Sequence, residues 1–180
     1  MHQIRIHGRG GQGVVTASEL VAIAAFMDGQ EAQAFPSFGV ERTGAPVEAF
    51  VRIDDNFIRT REQIYHPDIL IIQDATLLDS VNILHGCDKN TIIIINTKKK
   101  AEDLGIKLPV KNIHTVDATR IALDIIGKNL MNTVILGQFS KATNLVSLDG
   151  LKKAIKQKFH EKGSKIIDKN IQAVEAAYNA

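Results

Sequence analysis

Apolar and polar positions follow two different periods along this chain. Gln3 to His7 reads as a short strand, and Val14 to Met27 as a helix with Leu20, Val21, Ile23, Ala24 and Met27 on its apolar face. Asp28-Gly29 ends that helix, and Gln30 to Phe35 follows as a second strand. From Val47 to Ile53 the alternation is clear: Val47, Ala49, Val51 and Ile53 point one way, Glu48, Phe50 and Arg52 the other. After a turn at Asp54-Asp55-Asn56, Phe57-Ile58 is placed to rejoin the sheet as a hairpin. Asp68 to Gln73 and Thr91 to Asn96 each contain an unbroken run of Ile and Leu or Ile, as in central strands covered on both faces. The rest reads as a short helix at Leu77 to Leu84, a strand at Ile113 to Val116, and a helix at Ala118 to Ile126 capped by Asp117. A helix or buried apolar segment is expected at Asn132 to Phe139. Two more helices follow, Leu151 to Phe159 with Asp149 as a cap and Lys165 to Tyr178.

Strands alternating with helices at this spacing predict an α/β fold: a single open, mainly parallel sheet with helices on both faces and a possible antiparallel hairpin. The 180 residues suit one domain spanning 1–180, and 44% apolar with 23% charged residues is the balance of a soluble globular chain. A net charge of +2 is too small to argue for nucleic acid or a membrane surface as a partner. No stretch reaches the roughly 20 apolar residues that cross a bilayer. No signal peptide precedes the first strand, so a cytoplasmic location is expected. The lone cysteine, Cys87, cannot by itself hold a cluster or a structural zinc, and the six histidines lack metal-ligand spacing. Lys98-Lys99-Lys100 reads as a solvated loop.

Gly8-Arg9-Gly10-Gly11-Gln12-Gly13 lies where the first strand turns into the first helix. Glycines allow close backbone approach there, and a helix N-terminus presents unpaired N–H groups and partial positive charge. Such a turn suits a phosphate or carboxylate, and it also serves as a tight turn with no ligand. The spacing matches G-x-G-x-x-G, but a dinucleotide site also wants an acid at the end of the second strand. Here that strand ends in Ala34-Phe35-Pro36, with Glu31 at its start. No Lys-Ser or Lys-Thr follows the loop, so a P-loop is excluded. Asp74, after the Asp68 to Gln73 strand, is placed either to touch a ligand at the carboxyl ends of the strands or to cap a helix at Ala75, and the cap is the preferred reading.

Two longer segments are more specific than this spacing. Gly8 through Ala17 and Ala34-Phe35-Pro36-Ser37-Phe38-Gly39-Val40-Glu41-Arg42-Thr43-Gly44-Ala45-Pro46-Val47 closely resemble the two signatures of the gamma subunit of 2-oxoacid:ferredoxin oxidoreductases, in the same order. Asp68 through Asp74, and Asn132-Thr133 with Gly137, Phe139, Ala142 and Thr143, resemble that family's later blocks. The family commonly has a second arginine where this chain has Thr43. The Phe-Pro-Ser-Phe-Gly-Val-Glu-Arg form is more similar to members acting on pyruvate or branched-chain 2-oxoacids than to those acting on 2-oxoglutarate.

The resemblance implies a subunit of a complex that converts pyruvate, coenzyme A and oxidised ferredoxin to acetyl-CoA, CO2 and reduced ferredoxin. It implies alpha, beta and delta-type (ferredoxin-like) partner subunits, which carry thiamine diphosphate, Mg2+ and iron–sulfur clusters. This chain alone is expected to bind no cofactor and to supply no catalytic residue. Gly8, Arg9, Gly10, Gly11, Gln12 and Gly13 are expected to meet a phosphate of coenzyme A or of the thiamine cofactor, or else to dock on a neighbouring subunit. Phe35, Phe38, Glu41, Arg42 and Thr43 form the expected interface or substrate loop. Two other readings remain: a free-standing dinucleotide-binding protein and an assembly module with no small ligand.

Overall fold

The computed structural model describes residues 1–37 and 43–180. Six strands, β1 (His2–Arg9), β2 (Glu31–Pro36), β3 (Pro46–Asp54), β4 (Ile69–Ile72), β5 (Ile92–Asn96) and β6 (Ile113–Val116), form one sheet in the order β2-β3-β1-β4-β5-β6. β1, β4, β5 and β6 pair in parallel, whereas β3 runs antiparallel to both β1 and β2. β3 is therefore the one reversed strand, and the other five share a direction. The mainly parallel α/β sheet expected from the pattern is present.

The predicted hairpin has a different partner. Phe57-Ile58 forms no strand, and Phe57 is left exposed. The physical reason is that β2 and β1 already occupy both edges of β3, so no pairing edge remains. Instead the chain after Asp54 crosses the sheet face and buries Ile64.

Helices α1 (Val14–Met27), α3 (Ala118–Ile125), α4 (Met131–Thr143), α5 (Leu148–Lys158) and α6 (Ser164–Asn179) gather on one face, over Ile4, Ile6, Val51, Ile71 and Ile94. α4 is the centre of this layer: every residue from Met131 to Ser140 is buried, so its sequence shows no polar stripe. The other face carries Leu70, Ile72, Ile93 and Ile95 beneath the one-turn helix α2 (Leu77–Ser80), Ile83 and the 3-10 turn Ala101–Leu104. Both faces are covered, with the longer helices on one of them.

Three local expectations shift. The helix expected to reach Leu84 stops at Ser80, because the carbonyls of Ile83 and His85 turn inward to accept the Arg5 guanidinium at 2.8 and 2.7 Å. α5 begins at Leu148 and is capped by the Ser147 hydroxyl, which accepts from Gly150 N–H. Asp149 lies inside the first turn and pairs with Lys153 at 2.7 Å instead of capping. Asp117 does cap α3, accepting from Arg120 N–H at 3.0 Å. The segment Asn132 to Phe139 is a helix, and it extends over Met131–Thr143.

Candidate functional site

β1 delivers the glycine loop to the carboxyl end of the sheet, and α1 starts at Val14 directly behind it. Gly13 sits at the N-cap with φ 72°, and a Cβ there would lie 2.5 Å from the Asn132 Nδ2 atom. Both the backbone sign and the space require glycine at this position. Asn132 uses that closeness: its Nδ2 donates to the Gly13 carbonyl at 3.3 Å, joining α4 to the loop. No side chain caps the N-terminus of α1, and no acid stands in its first turn. Its leading N–H groups therefore keep their partial positive charge available to a ligand.

Arg9 does not point outward as a free cation. Its Nε donates to Asp74 Oδ2 at 3.2 Å, Nη1 to the Gly44 carbonyl at 3.1 Å, and Nη2 to Thr76 Oγ1 at 2.7 Å. Gln12 also turns inward: its Nε2 donates to Asp74 Oδ2 at 2.8 Å and its Oε1 accepts from Arg9 N–H at 2.7 Å. Asp74 Oδ1 accepts from the Thr76 N–H and hydroxyl at 3.1 and 2.6 Å. Burial would raise the Asp74 carboxyl, but the Thr76 and Gln12 bonds and the Arg9 charge together hold it below the usual carboxylate range. Asp74 does not cap a helix at Ala75: the N-cap of α2 is Thr76, without a side-chain cap bond, and Asp74 makes a local turn with it instead; its tie to the glycine loop was not legible from the sequence.

The second signature meets the first. Gly10 N–H donates to the Ala45 carbonyl at 2.8 Å, and Gly44 N–H to the Gly10 carbonyl at 3.0 Å. Thr43 is exposed beside Gly11. Phe35 stacks on Phe50 with ring centres 5.2 Å apart, and the Arg52 guanidinium lies 5.4 Å from the Phe35 centre. Phe38, Glu41 and Arg42 lie outside the described residues.

Two clefts flank the start of α1. One, about 290 Å³, runs past Gly10, Gly11 and Val15 to Glu48. The other, about 390 Å³, runs past Gly11, Gly13 and Thr16 to Lys128, Asn132 and Lys162. The first cleft is lined by one charge of each sign, Arg9 and Glu48, together with Val14 and Val15 at the start of α1; the second is lined by two lysines beside Gly11 and Gly13 and so favours an anion more. Lys162 also sits 4.9 Å from the Phe159 ring centre at the rim of the second cleft. Lys128 and Lys162 were missed in the sequence: Lys128 follows a turn glycine like any solvated loop lysine, and only folding brings Lys162 near. Among the described residues no group of three or more His, Cys, Asp or Glu is placed to hold a metal ion. No helix among them is long and apolar enough to cross a membrane.

Comparison with known proteins agrees with this arrangement. Residues 3–180 match the pyruvate ferredoxin/flavodoxin oxidoreductase family. Pyruvate synthase subunit PorC of Methanocaldococcus jannaschii is 54% identical over 179 residues, which cover 99% of this chain and 96% of that protein. The pyruvate/ketoisovalerate oxidoreductases common subunit gamma of Thermococcus kodakarensis is 49% identical, covering 99% of this chain and 96% of its own length. The crystal structure of pyruvate oxidoreductase subunit PORC from Thermotoga maritima superposes with a TM-score of 0.85 at 38% identity, covering 99% of this chain and 95% of that one. With both signatures joined at one end of the sheet and relatives matching from end to end, this chain belongs to the pyruvate ferredoxin/flavodoxin oxidoreductase family.

Proposed function

We propose that this chain is the gamma subunit of a multi-subunit pyruvate:ferredoxin oxidoreductase, which forms acetyl-CoA, CO2 and reduced ferredoxin from pyruvate, coenzyme A and oxidised ferredoxin. The observation that carries this reading is similarity, at about half identity, to proteins named pyruvate synthase subunit PorC. Thiamine diphosphate and iron–sulfur clusters on the alpha, beta and delta-type partner chains supply decarboxylation and electron transfer. This chain's own share is to pack on that core and to hold coenzyme A by its phosphates.

The coenzyme A reading is supported by the second cleft. Lys128, Lys162 and the glycine loop at the head of α1 line a space that suits a phosphate group, with the Phe159 ring and Leu130 as apolar flanks for the rest of the molecule. Fixing one end of coenzyme A in this way raises the effective concentration of its thiol at a neighbouring reactive centre. A branched-chain 2-oxoacid as substrate is the second reading, favoured by a relative whose name assigns it to both pyruvate and ketoisovalerate enzymes. A free-standing dinucleotide protein is a poorer fit. Ligands of doubly wound sheets enter the crevice where the strand order reverses, between β1 and β4 here, and Arg9 and Asp74 of the chain itself fill that position.

Affinity purification of the native complex, followed by assay with pyruvate, 2-oxoisovalerate and 2-oxoglutarate, tests the assignment. Copurifying thiamine- and cluster-bearing chains with coenzyme A-dependent turnover of pyruvate are expected; their absence rejects it. Lys128→Ala with Lys162→Ala is expected to raise the KM for coenzyme A about tenfold while leaving that for pyruvate unchanged.

A further inference from the structure

The Asp74 carboxylate follows β4, and two of its four hydrogen bonds go to a different segment. Oδ2 takes the Arg9 Nε and the Gln12 Nε2, both from the glycine loop. Oδ1 takes Thr76, whose hydroxyl in turn accepts from Arg9 Nη2. Asp74, Arg9 and Thr76 thus close a ring of hydrogen bonds. From that ring Arg9 reaches on to the Gly44 carbonyl, and two backbone bonds join Gly10 to Gly44 and Ala45. One carboxylate anchors two loops that belong to different strands, and the asymmetry of its two oxygens separates their roles. Oδ1 makes a local turn with Thr76, a purely structural contact. Oδ2 touches only the glycine loop.

We propose that Asp74 is a positioning residue for coenzyme A: through Oδ2 it locks Arg9 and Gln12 inward, joins the glycine loop to Gly44-Ala45, and so holds Gly11, Gln12 and Gly13 as one wall of the Lys128–Lys162 cleft. This rests on the coenzyme A reading above and deepens it. Arg9 thereby serves the site without touching the anion. The lock is charge-assisted and mostly shielded from solvent, with the Asp74 side chain 18% and the Arg9 side chain 28% exposed, so water replaces it poorly.

Asp74→Asn separates the two roles in the assembled complex. The amide keeps an oxygen for Thr76 but presents an N–H2 to the Arg9 and Gln12 donors. The expected result is a rise of about tenfold in the KM for coenzyme A, with kcat and the KM for the 2-oxoacid near wild type. Amide hydrogen exchange at Gly10 and Gly44 should accelerate, while that of α4 and α6 is unchanged. Unchanged exchange at Gly10 and Gly44, or an unchanged KM for coenzyme A, overturns the proposal. The double lysine variant keeps the two questions apart. If it raises the KM and Asp74→Asn does not, only the role of Asp74 is rejected; if the lysine variant has wild-type KM, the coenzyme A reading itself fails.

Discussion

The carboxylate of Asp28, just past the end of α1, accepts both the backbone N–H and the hydroxyl of Ser147, at 2.5 and 2.7 Å. Ser147 Oγ passes the interaction on by accepting Gly150 N–H at 2.8 Å. One carboxylate thus joins the C-terminal end of α1 to the N-terminus of α5, where a negative charge also suits the helix dipole. Asp28→Ala is expected to lower stability by about 1 kcal/mol, the usual worth of a helix cap. Ser147→Ala should cost a similar amount, and the double variant less than the sum, because the two changes remove one network. Urea unfolding of the three variants checks this.

α4 and α6 touch through their backbones at Gly137. A Cβ there would overlap the Val174 carbonyl oxygen and come within 2.9 Å of Tyr178 N. Gly137→Ala would ordinarily favour a helix. Here it must push the two helices apart, and the expected net effect is a loss of about 2 kcal/mol, seen as a lower urea midpoint.

His7 is buried beside Arg5 on its own strand and lies 3.8 Å from the Glu48 carboxylate on β3. Burial, and then the Arg5 charge, push its pKa from 6.5 down to about 3. At neutral pH the imidazole is therefore uncharged, and its approach to Glu48 is a contact rather than an ion pair. The unfolded chain takes up a proton below about pH 6.5 that the folded chain refuses until about pH 3. Stability should consequently fall as pH drops through this window, by at most about 1.4 kcal/mol per pH unit. His114, also pushed down by burial and by Lys141, adds in the same direction. Carboxyls held below their ordinary value, among them Asp74, lose their contribution only at lower pH, on falling below about 4. His7→Gln should flatten the profile between pH 6.5 and 4.5 relative to wild type, as read from urea midpoints.

Buried Arg52 donates to the Glu62 carbonyl at 2.5 Å, and Arg5 to the carbonyl of Ile64 at 3.3 Å; between them they pin the segment from Phe57 to His66 to the sheet. Exposed Arg59 and Arg61 lie in that segment. Arg52→Ala should free it locally and speed tryptic cleavage after Arg59 or Arg61 about tenfold, while cleavage elsewhere is unchanged. Mass spectrometry of a limited digest distinguishes this from global unfolding.

The sheet was legible because its strands announce themselves: alternation in Val47 to Ile53, an unbroken Ile and Leu run in β4 and an Ile run in β5. The start and stop of elements were less so wherever a distant group decided them. α2 ends early because Arg5, far back in the sequence, needs the Ile83 and His85 carbonyls. α5 is capped by Ser147 rather than Asp149, and nothing local shows that Asp28 stands ready to orient that hydroxyl. At the site, the motif placed the glycine loop and the second signature but not their mutual contact. Arg9 read as an anion ligand because a loop arginine beside glycines usually faces solvent; its carboxylate partner comes from another strand. Lys128 and Lys162 carry no pattern, since each reaches the cleft from a separate helix-flanking turn.

The reversed strand has a consequence for tolerance to insertion. Along β3 the aliphatic Ala49, Val51 and Ile53 face the helical layer, while Phe50 and Arg52 face the opposite side. Adding one residue ahead of Ala49 would exchange these sets, driving a guanidinium among methyl groups and a row of aliphatics toward the solvent-lined loop. Length changes are therefore excluded from within β3, whose register is fixed by a neighbour on each side.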